Sequence, residues 1–111
     1  HGITVLRPGD DPADDLFSNR YVFPDGEALP LSRVQLALEQ AGFETFHIEG
    51  FADDYAETLR HWAARLDEHL PEAERLAGPE RLRIWRLYLR GARYAFEGGF
   101  NSVYQVRARP Y

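Results

Sequence analysis

Residues 100–109, FNSVYQVRAR, carry the pattern that decides the fold. From residue 104 onward, aromatic and apolar side chains alternate with Gln and Arg. Successive side chains of a β-strand point to opposite faces, so this period of two predicts a strand with one covered face. A second strand is predicted at residues 43–48, FETFHI, because aromatic and β-branched residues dominate that segment.

The segment before these strands is predicted to run strand, loop, helix. Residues 3–6 indicate the end of a buried strand, residues 7–19 a loop, and residues 21–23 a short extended segment stopped by a turn. Ser32 is the predicted N-cap of a helix that Gly42 ends. The two later strands are expected to pair with each other. Because a two-stranded sheet is only marginally stable alone, we expect this pair to pack against a larger sheet.

Three helices are predicted between the two later strands. The first has Asp54 as N-cap and Glu57 three residues on, as in a capping box. Its buried stripe recurs at helical spacing and consists of Tyr55, Leu59, Trp62 and Leu66.

Prolines and glycines delimit the other two helices. Pro71 begins a short helix that Gly78 ends, and Pro79 begins a third that runs to about residue 96. The apolar face of this third helix consists of Leu82, Trp85, Leu89, Ala92 and Phe96.

Composition bounds the class of protein. The 111 residues suffice for one small domain, and a hydrophobic content of 44% suffices for a packed core. The absence of Cys excludes disulfides, and a net charge of −5 disfavours nucleic-acid binding. No apolar stretch approaches the roughly 20 residues of a membrane span. The chain starts at His1, directly before an apolar run, and we expect it to be part of a longer protein.

Charged residues give two further expectations. His, Asp and Glu do not cluster at metal-ligand spacing, so no metal site is predicted, and the four Asp within residues 10–15 indicate a solvated loop. Arg83, Arg86, Arg90 and Arg93 share one helix face. This basic stripe has two interpretations: it meets anionic phospholipid head groups, or it is a solvated face paired with acidic neighbours.

Four segments, in this order, carry a resemblance. They are YVFPDGE at residues 21–27 with Pro30, AGF at residues 41–43 leading to YAETLRHW at residues 55–62, RIWRLYL at residues 83–89, and VYQV at residues 103–106. Together they resemble the cyclopropane-fatty-acyl-phospholipid synthases and mycolic acid cyclopropane synthases. HGIT at residues 1–4 also resembles a segment of that family.

The resemblance implies an α/β fold, the C-terminal portion of a class I, Rossmann-like methyltransferase, mostly helical with a small antiparallel strand pair. Residues 1–111 then form a single fragment, the C-terminal half of the methyltransferase domain without its cofactor-binding half. A helical lipid-side insertion is implied at about residues 51–98. The fragment alone is expected to be inactive and to bind S-adenosylmethionine poorly or not at all.

The resemblance also implies the chemistry. A methyl group passes from S-adenosylmethionine to the double bond of an unsaturated phospholipid acyl chain, and the resulting cation loses a proton as a cyclopropane ring closes. The implied base is a bound bicarbonate, held by Tyr55 and His1 as catalytic residues and by the backbone of Ile3. The implied location is the cytoplasm, peripheral to the membrane.

Each implied ligand has an ordinary structural alternative. Tyr55 heads an apolar stripe and is explained equally as core, while a phenol at a helix N-terminus suits an anion. His1 is either a ligand or an ordinary terminal residue, one that is mobile or that remains from a tag. Asp53 and Asp54 would repel an anion, so we expect them to face the helix cap and solvent.

Two other functions stay open. One is a related methyltransferase that makes a branched methyl product or uses another acceptor. The other is a non-enzymatic module that binds a partner through its helices. In either case the exposed sheet edge of the isolated chain is expected to drive self-association.

Overall fold

The structure is a computed structural model that describes residues 1–6, 16–24, 26 and 28–111. The acidic run at residues 10–15 and the predicted loop up to residue 15 therefore lie outside the described residues. The elements in chain order are β1 Gly2–Val5, α1 Leu16–Tyr21, α2 Leu31–Gln40, β2 Phe43–Gly50, α3 Ala52–Glu68, α4 Leu70–Ala77, α5 Pro79–Glu97 and β3 Asn101–Pro110.

The sheet is built around β3. Its strand order is β1-β3-β2, and both neighbours run antiparallel to β3. The predicted pairing of the two later strands is confirmed, and β1 adds a third strand on the opposite edge of β3. The alternation that predicted β3 is confirmed too, because the side chains from Tyr104 to Arg109 are alternately half-buried and exposed.

Strand β2 carries an irregularity that turns an aromatic ring toward two arginines. The register with β3 shifts between Thr45 and His47, which leaves Phe46 unpaired as in a β-bulge. The guanidinium carbons of Arg107 and Arg109 lie 5.1 Å and 5.6 Å from the centroid of the Phe46 ring. This exposed end of the sheet is therefore held by cation–π contacts.

Helix α1 corrects part of the sequence prediction. Residues 16–19 were expected in a loop and Tyr21 in an extended segment, whereas both belong to α1. The rings of Phe17 and Tyr21, four residues apart, lie 5.4 Å from each other. A pair at this spacing stabilises a helical turn, and the prediction overlooked it.

Both predicted N-caps are wrong. Pro30 caps α2 and Phe51 caps α3, and neither helix has a side-chain cap hydrogen bond. Helix α3 starts at Ala52, earlier than predicted, and follows β2 after a single residue, Phe51, whose N–H donates to Val103 O at 2.8 Å. Ser32 and Asp54 therefore lie inside their helices.

Glu57 has a different role from the predicted capping box. Its carboxylate accepts hydrogen bonds from Arg60 Nε at 3.0 Å and lies 3.2 Å from His61 Nε2. The hydrogen bonds from Arg60 hold the pKa of the Glu57 carboxyl below its usual value. This pair is on the exposed surface of α3 and leaves the start of the helix without a reciprocal cap.

The core lies between α3, α5 and β3. Its buried residues are Ala56, Leu59, Leu89, Phe96 and Val103. The predicted helix stripes are confirmed at Leu59, Leu82, Leu89 and Phe96. They are wrong at Trp62 and Trp85, which are 44% and 39% exposed. Both indoles lie at the margins of the packing between α3 and α5, so a large part of each ring remains exposed to solvent.

Two glycines allow a matched test of the helix boundaries. Gly78, between α4 and α5, has φ 87° and ψ 158°, a conformation that is nearly restricted to Gly. Gly91 lies inside α5, and the position that a methyl side chain would occupy there is open space. We expect Gly78→Ala to lower the free energy of unfolding by about 1–3 kcal/mol and Gly91→Ala to raise it by about 0.5–1 kcal/mol.

Urea denaturation of the two variants beside the unchanged protein measures both effects. If Gly78→Ala were as stable as the unchanged protein, the junction between α4 and α5 would not have the backbone described above.

None of the helices in the described part of the chain combines the length and apolar content needed to cross a membrane.

Candidate active site

A cleft of about 450 Å³ opens between the first two turns of α3 and the face of β1 and β3 that α3 and α5 partly cover. Its described lining comes from three parts of the chain: His1, Gly2 and Ile3; Phe51, Asp54, Tyr55 and Thr58; and Val103 and Gln105. The three residues that the resemblance implied as ligands therefore line one cleft.

Strand pairing fixes the β1 wall of this cleft. Leu6 N–H donates to Phe100 O, directly before β3, whereas Val5 N–H donates to Leu29 O on the other side of β1. Antiparallel strands alternate in this way, so the N–H and C=O of Ile3 point to the outer edge of β1. The backbone of Ile3 is thus turned away from β3, toward the edge at which a ligand could reach it.

The opposite wall is the start of α3, where Tyr55 is half-buried. Its ring centroid lies 4.9 Å from that of Phe96 and 6.0 Å from that of Trp62, both in edge-on arrangements. The two interpretations of Tyr55 are therefore compatible: the ring packs against the core while the residue lines the cleft. Aromatic contacts on two sides restrict the positions that the phenol can adopt.

The backbone at this end of α3 adds hydrogen-bond donors. Tyr55 N–H donates to Phe51 O at 2.9 Å, which closes the first turn. The N–H groups of residues 52–54 precede that bond and have no carbonyl four residues back within the helix. Because the helix dipole places partial positive charge at this end, the wall is favourable for a small anion.

Asp54 follows the expectation from the sequence only in part. It is exposed like Asp53, as expected, but it lies inside the helix instead of capping it and, unlike Asp53, it lines the cleft. The reason is the earlier helix start: with Ala52 as the first residue of α3, Asp54 is in register with Thr58, one turn later on the same face. Thr58 Oγ1 donates to Asp54 O at 3.1 Å.

The charges in the cleft are few. Among its described lining residues, Asp54 is acidic, His1 is the titratable base, and none is Arg. An anion bound here would therefore be held by the phenol, the imidazole and amide groups rather than by a guanidinium. In the part of the chain that the structure describes, no group of three His, Asp or Glu residues could hold a metal ion.

Besides Asp54, the sequence analysis missed two polar residues of the lining, Thr58 and Gln105. Thr58 follows Tyr55 by three residues, a spacing that places both on one helix face and could have identified it. Gln105 was assigned to the polar face of β3. That face is covered at Val103 and open from Gln105 onward, so the cleft marks the place where the helices stop covering the sheet.

The arginine stripe on α5 follows the second of its two interpretations. Arg86 Nε lies 3.1 Å from Asp67 Oδ1, Arg90 pairs with the same carboxylate, and Arg93 Nε lies 2.7 Å from Glu97 Oε1. Three of its four guanidinium groups are thus paired with acidic neighbours on a solvated face.

A sequence model of one protein family, described as mycolic acid cyclopropane synthetase, matches residues 1–106. The chain belongs to this family. A "probable fatty acid methyltransferase" from Pseudomonas putida is 42% identical over 116 residues, which cover 100% of this chain and 29% of that protein. The family resemblance drawn from the four sequence segments is confirmed.

Solved structures of the family superpose closely on the chain. The cyclopropane synthase MmaA2 from Mycobacterium tuberculosis gives a TM-score of 0.86 at 26% identity, over 96% of this chain and 41% of that one. The mycolic acid cyclopropane synthase CmaA1, solved with SAH and CTAB, gives a TM-score of 0.85 at 27% identity over the same shares. These matches confirm the predicted fold class.

The chain spans less than half the length of these relatives. Within the described residues, no glycine-rich turn joins a strand to a helix in the manner of a nucleotide-binding loop. The residues described here therefore do not fit a complete S-adenosylmethionine site.

Proposed function

We propose that the chain is the catalytic, lipid-side part of a methyltransferase that modifies the double bond of an unsaturated phospholipid acyl chain and forms a cyclopropane ring. The observation that carries the proposal is the convergence of His1, Ile3 and Tyr55 on one cleft in a chain of this family. S-adenosylmethionine supplies the methyl group and is held by residues outside this chain. We call the protein with both parts the complete enzyme.

The cleft residues serve the proton-removal half of this reaction. Adding a methyl cation to a double bond leaves a carbocation, which must lose a proton before the ring can close. Tyr55 lies at the helix end that favours an anion, and a phenol hydroxyl can donate a hydrogen bond to it. It holds a small oxyanion beside the cation and orients the oxygen that takes the proton.

Bicarbonate is the proposed oxyanion, and the donors of the cleft fit its size and charge. His1, Ile3 and Tyr55 line the cleft on two walls, and the imidazole, the Ile3 backbone and the phenol are the proposed ligands. Gln105 offers a further amide donor from β3. Among the described lining residues no Arg binds the anion tightly, which leaves its basicity high enough to accept a proton.

The location follows from the proposed substrate. The acyl chains of phospholipids are reached at a bilayer surface, so we place the complete enzyme in the cytoplasm, at the periphery of the membrane. Several large apolar side chains on α4 and α5 are exposed and suit that surface: Leu76, Trp85 and Leu87. In the absence of its other part, the chain would also expose the outer edge of β2 and, at Ile3, that of β1, which favours self-association.

Methyl-labelled S-adenosylmethionine and vesicles of unsaturated phospholipid test the proposal. The complete enzyme is expected to place the label in cyclopropane rings, identified by mass spectrometry of the released fatty acids. The same protein with saturated phospholipid is the control, because it lacks the double bond. Labelling that is equal on both lipids, or absent from both, would exclude this function.

A branched methyl product is the second candidate. The Pseudomonas putida relative is described as a fatty acid methyltransferase, a name that does not specify a ring. The same cleft would then remove a proton from a different carbon of the cation and leave a methyl branch with a double bond. The two products are isomers of equal mass, so the released fatty acids are treated with ozone before mass spectrometry. Only the branched product contains a double bond that ozone cleaves.

A further inference from the structure

We propose that Asp54 is the proton outlet of this cleft. It accepts the proton that the lipid cation loses to the bound oxyanion, and it releases that proton to solvent. The inference rests on the proposed function and adds to it a residue that the resemblance did not supply. Its starting point is the position of Asp54, which lines the cleft together with Tyr55 and His1.

Asp54 and Tyr55 are neighbours on α3 but differ in solvent exposure. Tyr55 is half-buried against Phe96, whereas Asp54 is exposed although it lines the same cleft. A residue at this position contacts both the ligand space and bulk water. An ionised carboxylate accepts protons and cannot donate hydrogen bonds to an anion, so Asp54 does not serve as an anion ligand.

The charge balance of the cleft also favours this role. Asp54 contributes the negative charge among the described lining residues, and an oxyanion would have to bind beside it. Two neighbouring oxyanions favour sharing a proton, because protonation of either one removes their repulsion. A proton arriving on the bound anion therefore has an acceptor within the same cleft.

The step balances in atoms and electrons. A C–H bond of the methylated lipid cation breaks, and its electron pair forms the C–C bond that closes the ring. The proton passes through the oxyanion to a carboxylate oxygen of Asp54, which becomes neutral, and then to water. The oxyanion is left as it began, and Asp54 is ionised again for the next turnover.

Asp54→Asn in the complete enzyme is the main test, with Asp53→Asn as the matched control. Both aspartates are acidic residues in the first turn of α3, so both substitutions remove the same favourable charge from the helix end. Of these two residues, only Asp54 lines the cleft. We expect Asp54→Asn to lower kcat about tenfold, below the usual range of proton-transfer effects, because water partly replaces an exposed acceptor.

The bicarbonate dependence separates this role from a structural one. Removing the repelling charge should leave KM for bicarbonate unchanged or lowered while kcat falls. Asp54→Glu should restore most of the rate, and added formate should partly rescue Asp54→Ala. The proposal would be overturned if Asp54→Asn were indistinguishable from Asp53→Asn, or if Asp54→Glu were as slow as Asp54→Asn and formate did not raise the rate of Asp54→Ala. If the unchanged enzyme itself made no labelled lipid, the proposed function would fail instead.

Discussion

Tyr55→Phe in the complete enzyme is expected to reduce formation of the labelled lipid by roughly 100-fold, the low end of the range for acid–base catalysis, because the oxyanion that takes the proton loses a ligand. The substitution removes one hydroxyl and keeps the ring, so the edge-on contacts with Phe96 and Trp62 are retained. Stability should therefore change little. The rate is measured with labelled S-adenosylmethionine on unsaturated phospholipid vesicles, and raised bicarbonate should only partly restore it.

Tyr94→Phe is the matched control. Tyr94 is 71% exposed on α5 and does not line the cleft, so the loss of its hydroxyl should leave the rate unchanged. Binding of S-adenosylhomocysteine should be the same in both variants, which shows that the cofactor part is intact. Full activity of Tyr55→Phe would remove the phenol from the mechanism.

Leu59→Ala is expected to lower the free energy of unfolding by about 2–5 kcal/mol, the range for a large core side chain that leaves a cavity. Leu59 is 2% exposed and belongs to the core cluster with Ala56, Leu89, Phe96 and Val103. Because this cluster joins α3 to α5 and β3, its loss also loosens the helix that carries Tyr55. Urea denaturation followed by circular dichroism gives the difference.

Leu76→Ala provides the comparison at the surface. Leu76 is 71% exposed on α4, and Leu and Ala have similar helix propensities, so the change should stay within about 0.5 kcal/mol. Equal stability losses in the two variants would mean that the core does not lie between α3, α5 and β3.

Local patterns predicted the elements that depend on local physics. The alternation from Tyr104 to Arg109 identified β3, and the Gly78-Pro79 pair located the junction of α4 and α5. Glycine also marked the end of α2 correctly, since Gly42 has φ 84° and its N–H donates to Glu39 O at 3.0 Å. These features depend on backbone conformation and on the spacing of apolar side chains, and a few consecutive residues determine both.

The site could not be assembled in the same way, because it depends on contacts between distant segments. The start of α3 is fixed by the bond from Phe51 to Val103, and that start decides that Asp54 lines the cleft. A prediction from nearby residues placed the N-cap at Asp54 and turned its side chain to solvent. The family resemblance identified His1, Ile3 and Tyr55 together, which no spacing within the sequence would have grouped.

A crystal structure of the complete enzyme, grown with S-adenosylhomocysteine and bicarbonate, tests the central claim most directly. We predict planar, three-oxygen density in the cleft, with one oxygen within hydrogen-bond distance of the Tyr55 hydroxyl and another near His1. Density for the anion elsewhere, or a Tyr55 hydroxyl that points away from the cleft into packed side chains, would contradict the claim.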